Sequence, residues 1–141
     1  MILRALLLSI LLAGCVPIPL TPQDLDARQF LALPDKAVIY LVRDNPDFHY
    51  LPATVWLGEN ITITTYAGTY YRWEVEPGRH RIAGFGVDSG FITLEVDAGK
   101  IYFVQQRLMP WMRYAMSTFQ SIAEPHGRAF CRPCFTKLNC G

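Results

Sequence analysis

The sequence predicts a mainly β fold: a small antiparallel β-sandwich of about seven to eight strands, with a short N-terminal helix and a Cys-rich C-terminal tail. Three observations predict it. From Ala37 onward most apolar residues recur at period two, the spacing of a pleated strand rather than a helix. Breaks containing Gly, Pro or Asn separate these runs at the roughly 8–12-residue spacing of sandwiches and barrels. Of 141 residues, 51% are hydrophobic and 18% charged, enough apolar surface for a core and too little charge for disorder.

The chain opens with Met1-Ile2-Leu3-Arg4 and an apolar stretch from Ala5 to Ala13. One early positive charge ahead of a short apolar run is the layout of a secretory signal, and the run falls short of the ~20 residues a membrane-spanning helix needs. Leu12-Ala13-Gly14-Cys15 then resembles the lipobox of bacterial lipoproteins. That resemblance implies that residues 1–14 are cleaved and that the Cys15 thiol carries diacylglycerol, with the freed amine open to acylation. Two or three acyl chains hold a protein firmly where one does not, each buried methylene contributing about 0.8 kcal/mol. Val16 stands where an Asp would favour retention in the inner membrane. The expected address is therefore the periplasmic face of the outer membrane, reached through the lipid.

Val16-Pro17-Ile18-Pro19-Leu20-Thr21-Pro22 alternates proline with other residues, which holds the backbone extended and makes a semi-rigid tether. Thr21 suits an N-cap, Pro22 the first helical position and Asp24 the third, so a helix is predicted to about Leu33, stopped by Pro34. Ala37–Arg43 is apolar on both faces, like a central sandwich strand. Thr54–Leu57 and Ile61–Tyr66 flank a hairpin-like break at Gly58-Glu59-Asn60. Tyr70–Val75 alternates, with Tyr71, Trp73 and Val75 on one side and Arg72 and Glu74 on the other. Glu76-Pro77-Gly78-Arg79 reads as a turn. Arg81–Phe85, Phe91–Val96 and Ile101–Gln106 follow, the last two joined as a hairpin through Asp97-Ala98-Gly99-Lys100. Ser117–Ala123 adds one more strand, and a short helix or coil begins at Glu124. The expected organisation is a signal at 1–14, lipidated Cys, tether and helix at 15–34, the β-domain at 35–125 and the tail at 126–141.

"AVIYLVR", "AGTYYRWEVEPGRHRI" and "DAGKIYFV", in that order, resemble a bacterial lipoprotein family called domain of unknown function 2846. The resemblance covers roughly residues 35–125 and rests on turns and strands: Gly68-Thr69-Tyr70, Pro77-Gly78, His80 and Ala98-Gly99-Lys100. It implies a small secreted β-domain, often lipid-anchored, with no established activity to carry over. The Met- and Trp-rich segment at 108–116 and the Cys-rich tail depart from that pattern.

The chain carries 13 Lys and Arg against 12 Asp and Glu, and Arg4 is the only charge in the opening segment, so the remainder is formally neutral. A neutral surface offers no electrostatic footprint for nucleic acid. Catalysis is not expected either. Ser89, Ser117 and Ser121 lack a Gly-x-Ser-x-Gly frame, the three histidines are scattered, and Asp44 and Asp47 lack the Gly and terminal Glu of a calcium loop. No cofactor is expected. His80 reads as a structural, hydrogen-bonded histidine.

Two places are left for specific chemistry. With Cys15 consumed by lipid, Cys131, Cys134 and Cys140 remain as disulfide candidates in an oxidising compartment, one bridge and one spare thiol, with the pairing open. The alternative is a zinc site of His126, Cys131, Cys134 and Cys140, or a thiol-redox role for the Cys-x-x-Cys pair. "LMPWMRYAM", Leu108 to Met116, offers adaptable apolar area suited to a binding surface, if it forms an exposed connection between strands. Met109, Trp111, Met112 and Tyr114 are its candidate contacts with an envelope protein partner or with lipid headgroups; the competing reading has Trp111 and Met116 plug the sandwich's end. Tyr66, Tyr70, Tyr71 and Trp73 offer a second groove or, equally, cross-strand packing.

Overall fold

A computed structural model of the chain describes residues 21–44, 47, 51–86, 89–111 and 114–131, with Trp111 and Tyr114 described as backbone. The elements run α1 (Pro22–Ala27), β1 (Ala37–Arg43), β2 (Ala53–Leu57), β3 (Ile61–Thr65), β4 (Tyr70–Val75), β5 (Gly78–Gly84), β6 (Phe91–Val96), β7 (Ile101–Trp111), β8 (Tyr114–Ile122) and α2 (Glu124–Phe130). They form two four-stranded sheets, ordered β4-β1-β7-β8 and β3-β2-β5-β6. The mainly β, sandwich-like fold is the one the period-two pattern predicts. The signal at 1–14, Cys15 and the tether up to Leu20 lie outside the described residues, as do Cys134 and Cys140.

The two-sided apolarity of β1 has a specific cause. Ala37, Ile39 and Leu41 point between the sheets, where they meet Val55, Leu57, Ile82, Leu94, Val96 and Val104. Val38, Tyr40 and Val42 point the other way, into a second core with Phe103, Ala27 and Cys131 beneath the two helices. The molecule therefore has three layers: helices, first sheet, second sheet. Each fully buried side chain of this size contributes about 1.5–3 kcal/mol, so β1 and the Phe103–Gln106 stretch of β7, buried on both faces, carry much of the stability.

Three connections differ from the sequence expectation. The helix ends at Ala27 rather than near Leu33, although it is capped as predicted, with Thr21 Oγ1 accepting from the Asp24 N–H at 3.2 Å. Phe30 takes a left-handed φ of 52°, which stops the helix and turns its ring onto Tyr40 and Phe103 at centroid distances of 5.3 and 6.0 Å. Burying that ring outweighs a local strain of about 1–2 kcal/mol. Asp97–Lys100 does not close a hairpin: β6 belongs to the second sheet and β7 to the first, so the chain crosses between layers there. Finally, β7 lies parallel to β1, from Val38↔Ile101 to Arg43↔Gln106, while the other strand pairs are antiparallel. A parallel neighbour needs a long crossover, and β2 to β6 supply it.

Candidate functional site

β7 and β8 stay paired from Phe103↔Ile122 to Trp111↔Tyr114, whereas β1 leaves β7 at Gln106. Residues 107–111 and 114–118 thus continue beyond β1 as a two-stranded ribbon. The Met- and Trp-rich segment, for which the sequence leaves an exposed connecting loop and a plug at the sandwich's end as the two readings, is mostly strand. Pro110 is tolerated because it falls where β7 no longer has β1 as a neighbour. Met109 sits opposite Met116 and is 47% exposed, while Leu108 turns inward and is buried. Trp111 and Tyr114 pair at the tip; their side chains, and Met112, lie outside the described residues.

The root of the ribbon is held by buried polar groups. Arg43 Nε donates to Asp47 Oδ2 at 2.8 Å, the two side chains being 1% and 4% exposed. Arg43 Nη1 donates to the Thr65 carbonyl at 3.0 Å, and Asp47 Oδ2 accepts from the Leu108 N–H at 3.2 Å. Thr65 Oγ1 donates to Gln106 Oε1 at 2.7 Å, and Gln106 Nε2 donates to Ser117 Oγ at 3.0 Å. This chain of bonds joins both sheets to the strands of the ribbon, and the low-dielectric interior strengthens each link. Over it lies an open pocket of about 280 Å³ walled by Leu51, Pro52, Phe85, Leu108 and Ala115. Sequence reasoning passed over Asp47 as a failed calcium-loop acid. Its signal was Arg43, a charge closing an apolar run with an acid four residues on.

The tail candidates separate. Cys131 caps α2 and is buried among Ala27, Val38, Tyr40, Val42 and Phe103, while His126 is exposed on α2. Burial pushes the Cys131 thiol up to about 12, against the opposing effect of the Arg28 charge. A redox cysteine needs the reverse, a thiolate favoured near neutrality. Among the described residues no three His, Cys, Asp or Glu side chains stand close enough to hold a metal ion. Cys131 is accordingly expected to resist iodoacetamide in the native protein at pH 8 and to react on unfolding, as read by peptide mass spectrometry; rapid native labelling would show the thiol to be accessible. The neutral thiol supports the fold fully below its ordinary value of 9.0, and that support is lost as pH rises through about 12.

His80 Nε2 lies 2.7 Å from the Glu76 carbonyl, with its ring edge-on to Trp73, a structural arrangement. Trp73 packs against the inter-sheet core, Tyr66 is exposed, and Tyr70 and Tyr71 line a groove beside α1. No protein-family model matches the chain, and no curated protein matches it.

Proposed function

We propose that the chain is a lipid-anchored module of the bacterial envelope, akin to the domain of unknown function 2846 lipoproteins, that binds an envelope protein partner and is not an enzyme. The lipobox-like Leu12-Ala13-Gly14-Cys15 supports the anchor, and Val16 supports the outer membrane as its address. The observation that carries the binding role is the β7–β8 ribbon: it runs past its neighbouring strand, exposes Met109 near its tip, and is fixed at its root by the Asp47–Arg43–Thr65–Gln106–Ser117 bonds. A contact surface held on a rigid base loses little entropy on binding. Met and Trp give such a surface adaptable apolar area.

Crosslinking in intact cells from positions 109 and 111, followed by identification of the attached protein, tests the reading. Trp111→Ser is expected to weaken capture of that protein while moving the melting temperature by less than about 3 °C, the effect of roughly 1 kcal/mol. A large melting drop would make Trp111 a core residue, and unchanged capture would remove the ribbon from the interface. Replacing Cys131, Cys134 and Cys140 is expected to lower stability and leave capture intact. Stoichiometric zinc in the purified protein, or an activity abolished by those replacements, would favour the metal or thiol reading instead. Mass spectrometry of the N-terminal peptide tests the anchor: Cys15 is expected to carry the acyl mass, and Cys15→Ser to release the protein from the membrane.

A further inference from the structure

A second surface carries chemistry that the ribbon does not use. Between α1 and the edge strand β4 opens a groove of about 510 Å³, within the range that takes a small organic ligand. Its walls include Gln23, Asp24, Arg28, Thr69, Tyr70 and Arg72. Arg28 Nε donates to Asp24 Oδ2 at 2.7 Å, the Tyr70 hydroxyl donates to Asp24 Oδ1, and Arg72 Nη1 donates to Glu74. Burial alone would raise the Asp24 carboxyl, but the hydrogen bonds from Arg28 and Tyr70 and the Arg28 charge outweigh it and hold the group below the usual carboxylate range. The groove wall therefore carries two guanidiniums, each paired through one of its nitrogens with a carboxylate, Arg28 with Asp24 and Arg72 with Glu74.

Each guanidinium also keeps a donor that no protein acceptor satisfies. Arg28 Nη1 and Arg72 Nε are both buried without a hydrogen-bond partner. Buried donors left unpaired are uncommon in native proteins, because each gives up its hydration without a replacement. Two of them, on arginines from two different elements along one open groove, point to an acceptor that arrives from outside. A carboxylate could accept from both guanidiniums, so the preference between anions rests on charge and reach: a phosphate monoester carries up to two negative charges and three terminal oxygens, against one charge and two oxygens for a carboxylate. We propose that the groove between α1 and β4 binds a phosphate group, with Arg28 and Arg72 as its cationic walls and Gln23 at its rim. The site is independent of the ribbon and of acylation at Cys15. Gln23 is nonetheless close in sequence to Cys15, so a phospholipid headgroup and a soluble phosphate are the two sources of this chemistry.

The full chain in neutral detergent, titrated calorimetrically with inorganic phosphate, acetate and short-chain phosphatidylglycerol, tests the site. Phosphate is expected to bind once per chain, about tenfold tighter than acetate, and Arg28→Gln or Arg72→Gln to weaken it about tenfold, the scale of one charge-assisted hydrogen bond. Arg79→Gln, an exposed change on β5, is expected to leave binding unchanged. Gln23→Glu separates binding from folding: Gln23 is exposed and an acid suits the first turn of a helix, so melting should hold while phosphate binding falls severalfold. Tighter binding of phosphatidylglycerol than of inorganic phosphate assigns the site to a membrane headgroup, and the reverse order to a soluble phosphate. Phosphate binding no tighter than acetate, or unchanged in Gln23→Glu and both arginine variants, overturns the proposal.

Discussion

Arg43→Ala is expected to cost about 3–5 kcal/mol of folding stability, because it leaves the Asp47 carboxylate buried without its partner. Both side chains of the pair are almost wholly buried, and Thr65 loses the donor to its carbonyl at the same time. In a domain of this size the loss corresponds to a fall of roughly 10–20 °C in melting temperature. Arg43→Met combined with Asp47→Leu is expected to recover part of it, since an apolar pair of similar volume removes the buried charge, while the Leu108 N–H and the Thr65 carbonyl stay without these partners. Urea unfolding of the single and double variants measures both effects. An Arg43→Ala protein within about 1 kcal/mol of the parent would mean that the pair is effectively solvated. A destabilised ribbon root should also loosen the tip, so partner capture is expected to fall with Arg43→Ala and to return in part with the double replacement.

Gly127→Ala is the second large effect, and its sign runs against helix propensity. In an exposed helix the change would stabilise by about 1 kcal/mol. Here a Cβ at position 127 would lie 2.6 Å from Phe103 Cβ and closer still to the ring. Phe103 cannot yield, because it is 2% exposed and stacked on Tyr40 at a centroid distance of 5.1 Å. The helix must lift instead, and overpacking of this kind costs about 1–3 kcal/mol or more. Lifting α2 also uncovers Cys131 at its end. Gly127→Ala is therefore expected to lower the melting temperature and to make Cys131 reactive to iodoacetamide in the native state. Adding Phe103→Leu, which removes the offending ring, should return part of the loss; additive costs in the pair would place the strain elsewhere.

Much of the architecture is written along the chain. Alternation marks β4 and β6 with their inward residues, the Gly58-Glu59-Asn60 break marks the β2–β3 turn, and Thr21-Pro22 marks the start of α1. These are local signals: each reports which face of a short segment is apolar, or which backbone angles a residue allows. The ribbon was half legible. Its Met and Trp content stood out, but an apolar run of that kind does not say whether it is a strand, a loop or a plug.

The sequence by itself determined where most strands lie, the early helix cap and the double-faced apolarity of β1, while it placed Gly78 and Arg79 in a turn and left 107–111 and 114–116 out of β7 and β8. Only the tertiary structure decided what lies on each side of β1: a second sheet on one face, and on the other α1 and α2, with Phe30 stopping the first helix so that its ring completes that core. It also decided that β7 runs parallel to β1 and that β6 and β7 part company at Asp97–Lys100. Both sites depend on such choices. The Thr65–Gln106 bond spans 41 residues of sequence and the Tyr70–Asp24 bond 46. Period and propensity act over a few residues, whereas strand pairing and helix docking are selected by how the whole apolar surface is best removed from water, a condition no single segment contains.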